Sequence, residues 1–525
     1  MTTAAYSIKG GDYESGGAAS RSLKEQLKRL GADPAVVRRA MIAAYEAEMN
    51  VVIHAFRGEL RTSIDDGRLD VEIVDEGPGI PDIDQALREG FSTAPPTARE
   101  LGFGAGMGLP NIKKNSDRFS IASNVGQGTR IAFSIVLRPQ SLYGSGRHSL
   151  RTSAEKCREC LRCLRECPTR AIRVFRGRPQ ILDYLCVDCT ACIAACLNGA
   201  LAAVGEDAAF KPAESAMLVM PAECLAQFGA GVSPRRVLSE LAAMGLRGVR
   251  LLTPWEAALR TAVIQYASEE AKALPVISPA CPAVVNLIET RFPSLIPHLA
   301  PFLSAVEAAQ AQLGAKESIF VALCPAQRTV LSGGDGASKP SVILPAVLRA
   351  ALMPQVVASV EAARRERTGV TRADRNQADE DLLRVTGLTH VVDALEAIEN
   401  GLLPDVPAVE LFVCDEGCFG SPLLAEDPFI ARQRWETARV EQDVPASAVR
   451  RTAPCTPRPG LRLDNDMAKA IAKLAKIDKL ARSLPGSNCA LCGAPTCAAL
   501  AEDIVLGRAP LDACVRLAEG QEKTP

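Results

Sequence analysis

Cysteine is where the chemistry of this sequence concentrates. Cys157, Cys160, Cys163 and Cys167 stand in the spacing C-x2-C-x2-C-x3-C, and Pro168 follows. Cys186, Cys189, Cys192 and Cys196 repeat that spacing, with Leu197 in place of the proline. Short loops of this kind aim successive thiolates inward at one iron–sulfur cubane. In paired runs the fourth cysteine serves the other cluster. One 4Fe–4S cluster is therefore expected on Cys157, Cys160, Cys163 and Cys196, and a second on Cys186, Cys189, Cys192 and Cys167. A pair of zinc ribbons is the alternative, and the two matching runs weigh against it. Near the C-terminus, Cys489, Cys492, Cys497 and Cys514 can close around one more 4Fe–4S cluster, with a structural zinc as the alternative. Between these groups, Cys281, Cys324, Cys414 and Cys418 each follow an apolar, strand-like stretch. Three strand ends are thus expected to bring them to one buried site. Cys224 and Cys455 read as small core residues.

A second constellation precedes the first cysteine. Glu46, Asn50 and His54 lie at i, i+4 and i+8 in YEAEMNVVIHAF, so on a helix they share one face. A carboxylate and an amide oxygen there suit magnesium or an activated attacking group, because magnesium takes oxygen ligands and keeps several waters. His54 reads equally well as a packed helix residue. In VDEGPGIPD, Asp75, Gly77 and Gly79 leave a strand. In GFGAGMGLPNI, Gly102, Gly104, Gly106 and Gly108 precede a helix, where backbone amides can approach phosphate. Gly126, Gly128 and Thr129 sit between two strands.

These residues need elements to hold them. Residues 1–22 are Gly/Ser-rich and are expected as a flexible tail. Leu23 to Phe56 is helical in pattern with a break around Gly31–Pro34. Strands follow in 59–74, a helix near 109–115, and strands at 118–124 and 129–137. Residues 138–153 read as a linker, and 154–204 carry the paired cysteine runs. From 214 to 425 short apolar strands alternate with helices, which points to parallel α/β layers. Residues 431–483 read as a linker and helix, and 484–520 as a compact cysteine module. The net charge of −1 offers no bulk attraction to nucleic acid or an anionic membrane. No stretch has ~18 uninterrupted apolar residues, no export signal is visible, and clustered thiols suit a reducing cytoplasm.

Several family resemblances rest on these residues. Residues 157–196 resemble two-cluster ferredoxins, and Cys489–Cys514 resembles a small four-cysteine electron-transfer module. Residues 25–137 resemble the ATPase domain shared by histidine kinases, the gyrase B subunit and Hsp90. EAEMN and GMGLPNI are most similar to the anti-sigma-factor serine kinases. That resemblance implies that Asn50 coordinates magnesium with ATP, Glu46 polarises the attacking group and Asp75 binds the adenine amino group. Residues 214–425 resemble the large-subunit domain of iron-only hydrogenases. There Cys281, Cys324, Cys414 and Cys418 would hold a 4Fe–4S cluster, and Cys418 would bridge to a diiron subcluster. The family's proton-relaying cysteine is replaced by Ala280, and its cyanide-contacting lysine by Gln327. This combination resembles the sensory branch of the family.

The implied fold is multidomain, α+β and α/β. It comprises a Bergerat-type ATPase α/β sandwich, a ferredoxin-like 2x4Fe-4S domain, an α/β hydrogenase-like domain and a small Fe–S module. Two functions follow as expectations. One is a redox or hydrogen sensor coupled to a protein-serine-kinase-like domain, with a ferredoxin-like redox partner and a protein substrate of the anti-anti-sigma type. The other is an electron-transfer oxidoreductase of the iron-only hydrogenase family with slow or no hydrogen turnover.

Overall fold

The computed structural model describes the chain except residues 1, 31, 33, 66–67, 96–97, 99–105, 138–147, 176, 206–209, 211–215, 230, 315–317, 334–339, 364–381, 404–405, 459–462, 465 and 518–525. It divides into two compact units. One holds residues 1–144, 458–492 and 496–525, and the other 145–457 and 493–495.

The first unit is built on five antiparallel strands: β1 (Thr2–Lys9), β2 (Arg57–Asp65), β3 (Arg68–Asp75), β4 (Arg118–Asn124) and β5 (Gly128–Val136). Their order is β1-β2-β3-β5-β4. Helices α1 (Ala18–Arg29), α2 (Pro34–His54) and α3 (Gly108–Asn115) accompany them. Leu69, Val71 and Ile73 are buried at alternate positions of β3, the period-two pattern of a strand with one covered face. Ala40, Ala43, Ala44 and Ala47 of α2 are fully buried, and such small side chains let a helix approach its neighbours closely. Proline opens α2, where its fixed φ suits the first helical turn.

Residues 1–22 are not a flexible tail. Strand β1 pairs with β2 from Thr2↔Ile64 to Lys9↔Arg57. Ala4, Tyr6 and Ile8 are covered, while Thr3, Ala5, Ser7 and Lys9 are exposed. The small side chains of this strand and the glycines after it hide that alternation.

In the second unit, β6 (Leu150–Thr152) pairs with β9 (Leu201–Ala203), and β7 (Ile172–Phe175) with β8 (Arg178–Ile181). The last residues of the expected linker, 150–152, therefore belong to a sheet; 138–147 lie outside the described residues. Two parallel sheets follow. One is ordered β11 (Gly248–Leu251), β10 (Met217–Met220), β13 (Ser318–Val321), β14 (Ser341–Ile343). The other is β12 (Val276–Ile277), β16 (Ala408–Phe412), β15 (Leu382–Thr386). Their inner strands are largely apolar on both faces, as parallel sheets covered by helices require: Leu218, Val219 and Met220 are buried, as are Ala408, Val409, Leu411 and Phe412, with the Glu410 carboxyl buried among them.

The stretch from 431 is not a linker at its start. Pro428–Thr437 is a helix that buries Ala431 and Trp435. Farther on, Leu303 N–H donates to the Val449 carbonyl and Arg451 N–H to Pro301. With two buried positions in ten residues, this helix leaves little periodic signal. Helices α4 (Met467–Ser483) and α5 (Cys497–Val505) pack together in the first unit. Asp466 caps α4 through Ala468 and Lys469 N–H, and Thr496 caps α5 through Ala499 N–H. Among the described residues no helix is long and apolar enough to cross a membrane.

Candidate functional site

The oxygen-bearing residues of α2 face α3. Glu46 Oε1 accepts from Asn111 Nδ2 at 2.7 Å. Burial raises the Glu46 carboxyl above its ordinary value, and the Asn111 bond opposes that shift. A Cβ on Gly108 would stand 3.1 Å from Asn50 Oδ1 and 3.4 Å from Glu46 Oε2, so the first residue of α3 lies directly over this pair. His54 ends α2 with its side chain exposed.

Asp75 closes β3. It accepts from Thr129 N–H at 3.2 Å and from Gly77 N–H, yet burial outweighs both bonds and raises its pKa. The Thr129 and Ser123 hydroxyls bond at 2.9 Å. Two glycines here are obligatory. At Gly79 (φ +72°) a Cβ would meet the Asn124 carbonyl at 2.1 Å, and at Gly128 (φ +85°) the Asp75 carbonyl at 2.0 Å. Gly106 is also left-handed, and Gly126 N–H donates to the Pro78 carbonyl in an exposed turn. Gly102 and Gly104 lie outside the described residues. Asn111 is a member of this site that sequence reasoning missed, although its place in the GLPN turn, three residues after Gly108, is a usable signal.

All 18 cysteines are free of disulfides. One backbone device recurs around three of them. Glu159 and Leu161 flank Cys160, Asp188 and Thr190 flank Cys189, and Asn488 and Ala490 flank Cys489, all six with positive φ. Non-glycine residues resist this conformation. Its use here curls successive amides into a nest, which favours an anionic centre. The two halves of 157–196 also share sulfur contacts. Ala171 N–H donates to Cys167 Sγ and Ala200 N–H to Cys196 Sγ, each at 3.2 Å. Burial pushes the Cys163 thiol up to about 11, with the charges of Cys196, Cys160 and Cys157 adding to it. Burial raises Cys189 to about 12, with Cys167 the next contributor. Cys192 is raised first by burial, then by Cys189 and Cys167. Cys163 thus feels Cys157, Cys160 and Cys196, and Cys189 feels Cys167, while Cys192 feels Cys163 as well as Cys189 and Cys167. Eight crowded sulfurs, with Cys186 and Cys192 buried and all but Cys160 of the rest half-buried, fit cationic iron, which would offset the burial of thiolate charge.

The four middle cysteines line one pocket. Cys281 and Cys324 precede Pro282 and Pro325, the first residues of two helices. A thiolate is favoured at such helix starts. Gln327 N–H lies 3.5 Å from Cys324 Sγ, and Gln327 Oε1 accepts from Leu323 N–H at 2.8 Å. Cys189 and Thr190 line the same pocket, and the Thr190 hydroxyl donates to the Cys189 carbonyl at 2.5 Å. Ala280 packs against the apolar core instead.

Asp188, which sequence reasoning did not single out, ties these two regions together. It is 1% exposed. It accepts from Ser149 N–H at 3.2 Å and Thr329 Oγ1 at 2.7 Å. In the C-terminal module, Cys489 is lowered first by the Leu491 N–H, Cys497 N–H donates to Asn488 Oδ1 at 2.9 Å, and Cys514 is buried. Among the described residues no three His, Cys, Asp or Glu side chains close on a single metal ion. The ligands of a cubane, each on its own iron, stand farther apart than that. Cys224 is buried in the core, and Cys455 packs partly buried against it.

Comparison with known proteins assigns each segment. Residues 12–135 match the histidine kinase-like ATPase domain, 149–197 the 4Fe-4S dicluster domain, 244–322 the C-terminal domain of the iron-only hydrogenase large subunit, and 484–516 an Fe-S cluster family. The serine/threonine-protein kinase RsbT of Bacillus subtilis is 35% identical over 108 residues, 20% of this chain and 75% of that protein. An anti-sigma F factor of Caldanaerobacter subterraneus subsp. tengcongensis is 32% identical over 106 residues, covering 19% of this chain and 71% of its own length. The solved [FeFe]-hydrogenase HydA1 of Chlamydomonas reinhardtii aligns over 51% of this chain and 91% of its own, at 14% identity and a TM-score of 0.32. Through its N-terminal domain the chain belongs to the RsbT and anti-sigma F family of histidine kinase-like ATPases, fused to a dicluster, an iron-only-hydrogenase-like and a C-terminal iron–sulfur domain.

Proposed function

We propose that this protein is a cytoplasmic iron–sulfur redox sensor whose output is a serine-kinase-like ATPase. In this reading Asn50 holds magnesium on ATP, and Glu46 polarises a substrate serine hydroxyl. Asp75, with Gly77, Gly79 and Thr129, receives the adenine end. Gly106 and Gly108, with Gly102 and Gly104, face the phosphates. The substrate is a protein of the anti-anti-sigma type, by likeness to the kinase and anti-sigma relatives.

Four 4Fe–4S clusters use 16 of the 18 cysteines. Cys157, Cys160, Cys163 and Cys196 hold one; Cys186, Cys189, Cys192 and Cys167 the second; Cys281, Cys324, Cys414 and Cys418 the third; Cys489, Cys492, Cys497 and Cys514 the fourth. Such clusters exchange single electrons with a ferredoxin-like partner. A diiron subcluster, where inserted, would hang from Cys418. Ala280 has no proton to relay there, so hydrogen turnover would be slow.

The observation carrying this reading is that the Glu46–Asn50 helix and Cys489, Cys492, Cys497 and Cys514 belong to one compact unit. The test is ATP turnover and protein-serine phosphorylation with the clusters reduced and then oxidised, under argon and under hydrogen. A rate that changes reversibly with oxidation state is expected. An equal rate in every state would overturn the sensor and leave an electron carrier.

A further inference from the structure

The first unit contains a continuous mechanical link between the C-terminal cysteine module and the nucleotide helix. It starts at Cys497, the first residue of α5. One turn on, Glu502 meets Arg29 at 3.0 Å, with the two side chains 21% (Arg29) and 24% (Glu502) exposed. Arg29 is the last residue of α1, and its carbonyl accepts from Leu463 N–H. Its Nε is buried without a hydrogen-bond partner. The guanidinium is therefore held by one carboxylate contact, beside a second acid: Asp478 of α4 is raised by burial and pulled back by the Arg29 and Arg482 charges. Arg29 thus ties the end of α1 to α5, the helix that Cys497 opens.

At its other end α1 is fixed to α2. Its N-terminus follows Gly17 and has no side-chain cap of its own. Glu48, 2% exposed on α2, supplies one from outside, accepting from Ala19 N–H at 3.1 Å and Ser20 N–H at 3.0 Å. Glu48 lies between Glu46 and Asn50. Helix α1, 12 residues long with Leu23 and Leu27 fully buried, acts as a strut of about 18 Å.

We propose that Arg29 is the positioning residue through which the oxidation state of the C-terminal module is felt at the nucleotide site. This deepens the sensor reading and rests on it. One electron from an external one-electron reductant, itself oxidised by one electron, would reduce the 4Fe–4S cluster that Cys489, Cys492, Cys497 and Cys514 would hold and add one negative charge there; no bond forms or breaks. That charge alters the strength of the Arg29–Glu502 ion pair. The change moves α1, and Glu48 carries the movement to α2. The ion pair, closed or open, is the two-state element such coupling requires.

The experiment measures the affinity of a fluorescent ATP analogue for the full chain, oxidised and dithionite-reduced. Hydrogen exchange of the α1 and α2 peptides is followed in the same samples. Wild type should show a redox-dependent change of about fivefold or more in Kd, the lower end of typical site-to-site coupling. Protection of α1 and α2 should change with it. Glu502→Gln and Arg29→Gln should keep full iron content and oxidised-state affinity but lose the redox dependence. The charge reversal Arg29→Glu with Glu502→Arg should restore it. If wild-type affinity and protection show no redox dependence, this link is wrong, and the sensor reading is decided by the turnover assay above. If wild type responds and both single variants respond equally, the sensor stands and this link is wrong.

Discussion

Replacing Asp188 by Asn removes one buried charge while disturbing little else. The backbone there is left-handed, with φ +57°, a conformation Asn accepts better than most side chains. Asn can still accept from Ser149 N–H and can meet the Thr329 hydroxyl through its amide. The carboxylate lies 3.9 Å from Cys186 Sγ, and its charge also raises the Cys189 and Cys324 thiols. A charge roughly 8 Å from the added electron, at an effective dielectric of ~20, opposes reduction by about 2 kcal/mol. For a one-electron couple that is about 90 mV, or about 40 mV if screening is twice as strong. The sequence repeat supplies its own control. Glu159 occupies the matching position in the first run, flanks Cys160 with φ +49°, and is exposed. In a water-like dielectric the same charge is worth only about 20 mV. An EPR-monitored redox titration of the reconstituted full chain should therefore show the cluster on Cys186, Cys189 and Cys192 rising by ~40–90 mV in Asp188→Asn, the middle cluster rising by less, and a far smaller change in Glu159→Gln. Equal shifts in the two variants, or a shift below ~20 mV in the first, would refute the electrostatic account.

Other consequences are as direct. Gly128→Ala drives a Cβ into the Asp75 carbonyl, so ATP-analogue affinity should fall by about tenfold or more with iron content unchanged, as checked by titration calorimetry. With Glu46 raised by burial, its activity should fall as pH drops through a value above 4.5, and a pH–rate profile of Glu46→Gln should lack that limb. Glu256 is pushed up to about 8 by burial and then by Glu223. Its unfolded form titrates lower, so the folded chain keeps a proton that the unfolded chain gives up between about 4.5 and 8, and stability is lost across that window. Thermal unfolding of Glu256→Gln should show a flatter pH dependence than wild type over the same range.

What could be read in the sequence follows from what constrains residues along the chain rather than across it. Cysteine runs are legible because a cluster fixes their spacing locally, and β3 because Leu69, Val71 and Ile73 alternate. Strand β1 is not, because small residues such as Ala4 and Ala5 give a weak apolar signal. Asp188, Glu48 and Arg29 are ordinary charged residues in the sequence, and only tertiary contact gives them a role. Asp188 meets Thr329 across 141 positions, Glu48 meets Ala19 across 29, and Arg29 meets Glu502 across 473. No local pattern reports burial or a partner at such separations.

The residues of the middle domain separate two kinds of traffic. Cys189 and Thr190 line the pocket of the middle four cysteines, so on the proposed ligand sets the second and third clusters would be neighbours. On those sets a path for an electron would be kept. Proton delivery is different: position 280 carries a methyl group packed against apolar core, and Gln327 turns its side-chain oxygen to the Leu323 amide. An amide cannot supply the charge of the lysine that stands there in iron-only hydrogenases. A site that passes electrons without protons can be charged and discharged but turns over slowly. That would be a liability in a catalyst; under the sensor reading proposed above, it would let an oxidation state last long enough for a kinase-like domain to respond.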